Sequence, residues 1–375
     1  DMCGQYFNVT HGLGTTDVMV DIQGKTTSDG GVHQKYLGLT NYVPGWSKTY
    51  GGTHTDVETS LVQTADGGYA FAGYTSSFGA GSDDFWLVKT DANGNMQWNK
   101  TYGGTLDDKA YSLVQTGDGG YALAGYITAS GNYRAWLVKT DASGNMQWNT
   151  TCGGAGNSEA SSLVQTSDGG YALAGYTTAS GNNDFLWSKT NSSGNIQWQY
   201  VSPLGGDDEA TSLVQTADGG YAIAGYTNSL GAGSYDARII RTDATGGVVL
   251  WDKTYGGTLD DRAFKLVQTG DGGYALAGYT NSFGAGDYDA WLVKTNSSGS
   301  MLWNKTYGGT GTDAANSLVQ TGDGGYALAG YTTSSGAGNW DMWLVKTDAS
   351  GNMQWNKTYG GTGPEAAMGS LVRTR

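Results

Sequence analysis

The stretch SLVQTADGGYAFAGYTSSFGAGSDDFWLVKTDANGNMQWNKTYGG, Ser60 to Gly104, is nearly rewritten as SLVQTGDGGYALAGYITASGNYRAWLVKTDASGNMQWNTTCGG, Ser112 to Gly154. The Asp of the DGG turn falls at Asp66, Asp118, Asp168, Asp218, Asp271 and Asp323, so successive copies lie 52, 50, 50, 53 and 52 residues apart. A fixed period near 50 residues is the signature of a stacked or closed repeat architecture. Within the first copy four short runs, TSLVQT, YAFAGYT, DFWLVKT and MQWNKTY, carry the aromatic and β-branched residues that suit strands. Four strands per unit make one blade of a β-propeller.

The turns between the runs agree with that reading. ADGG supplies the Asp-Gly and Gly-Gly chemistry of a tight hairpin, and TDANGN supplies an Asp followed by a Gly where a left-handed residue is wanted. These two turns hardly vary and belong on one face of the ring. The connections between second and third strands vary and belong on the other face.

Counting strands by type predicts seven blades. First strands recur at Ser60, Ser112, Ser162, Ser212, Lys265, Ser317 and Ser370. Third and fourth strands reach seven only if DVMVDI at Asp17 and GWSKTY at Gly45 are included. The expected architecture is therefore an all-β, seven-bladed propeller of four-stranded antiparallel blades, one domain over 1–375. Its blade repeats start near 60, 112, 162, 212, 265 and 317, and its closing blade joins 370–375 to 1–52. SLVRT, Ser370 to Thr374, is expected to pair with the strand around Gln5 to Thr10. Asp17 to Trp46 spans 29 residues where Asp84 to Trp98 spans 14, so about 15 residues are inserted here, with His33, Tyr36, Leu37, Leu39 and Tyr42 among them.

Composition narrows the function classes. The 375-residue chain has 64 Gly, 3 Pro and only 14% charged residues, and its formal charge of −14 repels a phosphate backbone, so nucleic acid is not an expected partner. No apolar run is long enough to span a bilayer, and the first residues do not form a secretory leader. Cys3 and Cys152 form no metal-ligand cluster, and the register sets them on different blades and near opposite faces, so they are not expected to pair.

The turn-and-strand unit TDASGNMQW, and more closely TDATGGVVLW at Thr242 to Trp251, resembles the tryptophan-docking repeat of the quinoprotein-like propellers. DGGYALAGYT with WLVKTDASGNMQW also resembles glycine-rich propeller repeats of archaeal and bacterial surface proteins. The first resemblance implies a structural clamp by Trp46, Trp98, Trp148, Trp198, Trp251, Trp303 and Trp355, and carries over no cofactor residue. The second implies an extracellular or cell-surface location.

Chemistry-bearing residues are sparse. His11, His33 and His54 follow no repeated or triad pattern, no serine sits in a nucleophile elbow, and no glycine loop joins a strand to a helix. The loop before each first strand is acidic, with Asp56, Asp107, Asp108, Glu159, Asp207, Asp208, Glu209, Asp260, Asp261, Asp313 and Glu365. Acidity repeated in every blade suits solubility or capping, whereas a glycosidase needs one asymmetric pair. A second Asp opens the third strand at Asp17, Asp84, Asp184, Asp236, Asp289 and Asp341, with Arg134 in its place once, which points to a structural hydrogen bond.

The variable loops carry Phe78, Tyr133, Leu230 with Tyr235, Phe283 with Tyr288, and Trp340, aromatic faces suited to a protein partner or a sugar ring. Phe78, Tyr133, Tyr235, Phe283, Tyr288 and Trp340 are the expected binding residues. The N-glycosylation acceptor pattern begins at Asn8, Asn99, Asn149, Asn191, Asn296, Asn304 and Asn356. The expected function is a non-enzymatic structural or interaction module with a protein partner or self-assembly, without cofactor, metal or catalytic residue. A carbohydrate-binding lectin and a carboxylate-based glycosidase or lyase are the alternatives.

Overall fold

A computed structural model describes residues 18–20, 23–25, 32–35, 47–129, 131–363 and 371–373. Six four-stranded antiparallel sheets follow one another along the chain at 56–102, 109–152, 158–202, 208–255, 261–307 and 313–359, here blades 1 to 6. In each, strand order follows the sequence, from an inner strand such as Asp56–Gln63 through Tyr69–Thr75 and Asp84–Thr90 to an outer strand such as Met96–Tyr102. Inner strands of successive blades lie against one another, which sets them around a common axis.

The DGG hairpins form as their chemistry requires. In blade 1 the Gly67 amide bonds the Thr64 carbonyl at 2.9 Å with φ of +82° at Gly67, a backbone that strains any residue with a Cβ. The second and third strands, packed on both sides by neighbouring blades, are almost wholly buried, while the outer strands are half-exposed.

Blades are held by contacts that repeat across each boundary. Trp98, Trp148, Trp198, Trp251 and Trp303 on outer strands meet, edge to face, the Tyr that opens the second strand of the next blade, with ring centroids 5.3–6.0 Å apart. Each Trp also fits over the positive-φ glycine of the next blade's outer hairpin; a Cβ at Gly144 would come within 2.7 Å of the Trp98 ring. The Tyr102 hydroxyl donates to the Gly144 carbonyl at 2.6 Å, and Tyr255 and Tyr307 do the same to Gly299 and Gly351. The tryptophan clamp is thus an inter-blade joint.

The expectation of seven blades is corrected to six. The DVMVDI run read as a third strand instead places Val18–Val20 antiparallel to Leu371–Arg373, with Met19 opposite Val372. Ser47–Tyr50, read as a fourth strand, pairs with Val32–Lys35, which in turn pairs with Gln23–Lys25. The insertion supplies its own hairpin, and this local pairing draws the outer strand into a three-stranded sheet in place of a four-stranded blade. Among the described residues no seventh four-stranded sheet forms. The C-terminal strand pairs with an N-terminal one, but at Val18–Val20, and it touches the inner strands of blades 6 and 1. Gln5 to Thr10 lies outside the described residues. Tyr50 still fills the clamp role, its hydroxyl donating to the Gly94 carbonyl at 2.5 Å.

Candidate functional site

On the face of the short turns, the recurrent charges are consumed by structure. The third-strand Lys89, Lys139, Lys189, Lys294 and Lys346 and Arg241 reach the DGG aspartates Asp66, Asp118, Asp168, Asp271, Asp323 and Asp218 at 2.5–2.9 Å. Burial alone would raise Asp66, but hydrogen bonds from Lys89, Thr64 and the Gly68 amide outweigh it and hold the carboxyl at about 2. This staple ties the first hairpin to the third strand.

On the opposite face both recurrent acids cap loops. Asp84 accepts the Ala80 and Gly81 amides at 2.8 and 3.1 Å, and Asp56 accepts the Gly52 amide and the Ser77 hydroxyl, each at 2.8 Å. Arg134, where the Asp is missing, donates to the Gly154 carbonyl at 3.0 Å. His54 sits in an exposed loop against Thr53. Glu365 and His11 lie outside the described residues. No group of three or more His, Cys, Asp or Glu among the described residues is arranged to hold a metal ion, and no described helix is long and apolar enough to cross a membrane.

Departure from the repeat is concentrated at one level. The residue before the recurrent third-strand Asp, or before Arg134 in blade 2, is Asp83, Tyr133, Asn183, Tyr235, Tyr288 or Trp340, and the residue after Asp56, Asp108, Ser158, Asp208, Asp261 or Asp313 at the start of the inner strand is Val57, Lys109, Glu159, Glu209, Arg262 or Ala314. The first position of one blade meets the second position of the next. Asp83 pairs with Lys109 at 3.0 Å, and Asn183 Nδ2 donates to Glu209 Oε1 at 2.8 Å. The Tyr235 ring lies 4.0 Å from the Arg262 guanidinium. Tyr133 hydrogen-bonds Tyr176 at 2.9 Å, whose hydroxyl donates onward to Glu159 at 3.4 Å. Backbone bonds set this register: the Asp108, Asp208, Asp261 and Asp313 amides donate to the carbonyls of Asp83, Asn183, Tyr235 and Tyr288 at 2.6–2.7 Å.

A second-strand tyrosine backs each of these pairs. Tyr133, Tyr235, Tyr288 and Trp340 lie 4.4–5.5 Å from Tyr126, Tyr226, Tyr279 and Tyr331. The structure thus brings four of the six expected binding residues into one aromatic rim. Phe78 and Phe283 do not join it; they pack 6.2 Å from Trp86 and Trp291 of their own third strands.

Charge around the rim is uneven. Lys109 is neutralised by Asp83 and lies 4.5 Å over Tyr74; Arg262 is neutralised by Asp260 at 2.9 Å and lies 4.5 Å over Tyr226. Glu159 and Glu209, between them, form no ion pair among the described residues, and Glu209 is held by Tyr226 at 2.5 Å as well as by Asn183. Burial, and then the charge of Glu209, push Glu159 up to about 7. Glu159 and Glu209 stand in the sequence as part of a repeated acidic loop; their separate role shows only in the change from Lys to Glu to Glu to Arg at one repeat position.

The acceptor asparagines are engaged where described. Asn149, Asn304 and Asn356 accept the indole N–H of Trp136, Trp291 and Trp343 at 3.1–3.2 Å. The Asn99 amide touches the Met96 sulfur, and Asn191 and Asn296 accept amides within their turns. Asn8 lies outside the described residues, as does Cys3. Cys152 is a buried free thiol, pushed up to about 11 by burial.

No family model and no curated protein matches the sequence, so nothing there links it to the glycine-rich surface repeats. Solved structures do match in fold. The WD40 domain of Neurospora crassa Pan2 is 11% identical with a TM-score of 0.52, covering 85% of this chain and 79% of its own. A europium-containing methanol dehydrogenase is 11% identical with a TM-score of 0.54, covering 96% and 78%. Chaetomium thermophilum Sqt1, bound to the N-terminus of ribosomal protein L10, is 15% identical with a TM-score of 0.49, covering 82% and 76%. The chain is a β-propeller. A WD40 domain and a methanol dehydrogenase both share the fold at 11% identity, so likeness of fold carries no activity to this chain.

Proposed function

We propose that the protein is a non-enzymatic interaction module, working at a cell surface or outside the cell, that takes a protein partner at the aromatic rim through a cationic side chain. The observation that carries this reading is the unpaired couple Glu159 and Glu209 set among tyrosines. Everything that repeats serves the ring, as staple, cap or clamp. The two cations the chain places at this level each combine a tyrosine face with a carboxylate. The sector of Glu159, Glu209, Tyr133 and Tyr176 offers the same groups without a cation of its own, and a lysine or arginine of a partner fits that chemistry. The location follows the surface-repeat resemblance and is part of the proposal.

The test is binding of the intact protein to an array of peptides with and without Lys and Arg, beside a glycan array. Preference for basic peptides, lost in Glu159→Gln with Glu209→Gln while the protein stays folded at no lower melting temperature, supports the reading. Binding of neutral glycans that Trp340→Ala abolishes would replace it with the lectin alternative.

One observation favours an enzyme as the second reading. Glu159 near 7 beside Glu209 resembles an acid and a carboxylate set apart by environment, as glycoside hydrolysis requires. Turnover of a polysaccharide panel, lost in Glu159→Gln, would establish it in place of the binding module.

A further inference from the structure

Four of the inner strands share an inter-blade bond one layer below the rim. Ser60, Ser112, Ser162 and Ser212 each accept, on Oγ, the amide of the next blade's leucine, Leu113, Leu163, Leu213 and Leu266, at 3.0–3.1 Å. Each serine thereby uses an acceptor lone pair, and none of the four hydroxyls donates to an acceptor among the described residues. The threonines above them differ: Thr59 and Thr211 donate to the Ala110 and Ala263 carbonyls at 2.8 and 2.9 Å. The serine layer is therefore a layer of unused donors.

Blade 5 breaks this layer with Lys265, which stands opposite Ala277 as Ser212 stands opposite Ala224. Its ammonium has no hydrogen bond or ion pair among the described residues, unlike the stapled third-strand lysines. A half-buried cation among the inner strands without a counter-charge is costly unless something else supplies one. Burial depresses its affinity for the proton, as an uncompensated site requires.

We propose that Lys265 and the serine layer form a binding site for a small anion on the propeller axis. The layer presents one positive charge and hydroxyl donors with no carboxylate paired to the cation, so a halide or a small oxyanion satisfies donors that the protein leaves unused. Entry is favoured from the face of the short turns, where each DGG aspartate is neutralised by its staple, and disfavoured from the rim, where Glu159 and Glu209 are unpaired. This site is independent of the rim and of its ligand.

The experiment is anomalous diffraction from crystals of the intact protein in bromide, for wild type and Lys265→Ser. The variant restores the residue that the neighbouring repeats use, so it keeps the fold, which its melting curve checks. A bromide peak within hydrogen-bonding distance of Lys265 Nζ, absent in the variant, supports the site. No peak at Lys265, or a peak unchanged in the variant, overturns it. In solution, amine labelling of Lys265 read by mass spectrometry should slow about tenfold in saturating bromide or sulfate relative to an anion that is excluded by size. Labelling indifferent to both anions would also overturn the proposal.

Discussion

Asn183 Nδ2 donates to Glu209 Oε1 at 2.8 Å across the boundary between blades 3 and 4, in the same place where Asp83 holds Lys109 across the boundary between blades 1 and 2. The two pairs are chemically different solutions at one site of the repeat, and each has a loop residue suited to its inner-strand partner. Asn beside Glu supplies a donor to an acceptor, and Asp beside Lys supplies an opposite charge, so each pair is complementary in its own way. The rim is thus built boundary by boundary, and its sum is not neutral.

Glu159 should make the protein less stable as pH rises. Its folded value near 7 lies above the ordinary 4.5, so the folded state binds its proton more tightly than the unfolded one. That stability is fully present below about pH 4.5 and is lost progressively up to about pH 7. Glu159→Gln should remove this slope and raise stability at pH 8 by about 1–3 kcal/mol, less than the full shift because the group is not wholly shielded from solvent. Urea unfolding of both proteins at pH 5 and pH 8 measures it; equal pH slopes would show that burial and the Glu209 charge do not raise Glu159.

The clamp should fail from either side. Trp251 meets Tyr274 at 5.7 Å and seats over Gly299, where φ is +77° and a Cβ would come within 2.8 Å of the indole. Trp251→Ala should cost about 3 kcal/mol through lost burial, and Gly299→Ala a comparable amount through backbone strain and displaced packing. Because the two act on one joint, the double variant should cost clearly less than the sum. Additive losses in denaturant titrations would mean that the Trp and the Gly do not share a contact.

What repeats was readable in the chain, and what breaks the repeat was not. Asp66, Gly67, Trp98 and Gly144 recur at fixed offsets, so hairpins, four-stranded blades and the clamp followed from local chemistry. The blade count went astray at Val18–Val20 and Ser47–Tyr50, because motif alignment assigns a strand to its like in other repeats. Pairing is instead decided by which edge lies nearest, and the insertion brought Val32–Lys35 closer. The aromatics of the rim are legible in the sequence, but its pairing from blade to blade is not: Asn183 and Glu209 are 26 residues apart and belong to different copies, so a reading blade by blade sees only two polar positions. Comparing the repeats with one another supplies the missing signal at Asp83, Tyr133, Asn183 and Tyr235.

Acid should loosen the staples together. Asp66, Asp118, Asp168, Asp271 and Asp323 are held at about 2 in the folded protein. A lowered carboxylate contributes stability above its unfolded value, near 3.9 for Asp, and loses it as pH falls toward 2. The carboxylates are more than half exposed in most staples, so each contribution is small and screened by salt. Asp168→Asn should therefore flatten only part of the loss between pH 4 and pH 2, whereas an acid transition unchanged by it would remove that staple from the account.

The C-terminal strand should matter out of proportion to its length. Leu371–Arg373 pairs with Val18–Val20 and also lies against the inner strands of blades 6 and 1, so it joins three parts of the chain that are remote in sequence. Removing 370–375 leaves the edge of Val18–Val20 without this partner and takes away the strand that bridges the first and last complete blades. The penalty is not the few hydrogen bonds of a short strand but the freedom regained where the ends of the six-blade array are no longer tied. The truncated protein should melt several degrees lower and exchange the amides of Asp56–Gln63 and Asp313–Gln320 faster, while the inner strands of blades 3 and 4 stay protected. Uniform loss of protection around the ring would show that the blades unfold as one unit; an unchanged melting curve would show that the C-terminal strand bridges nothing.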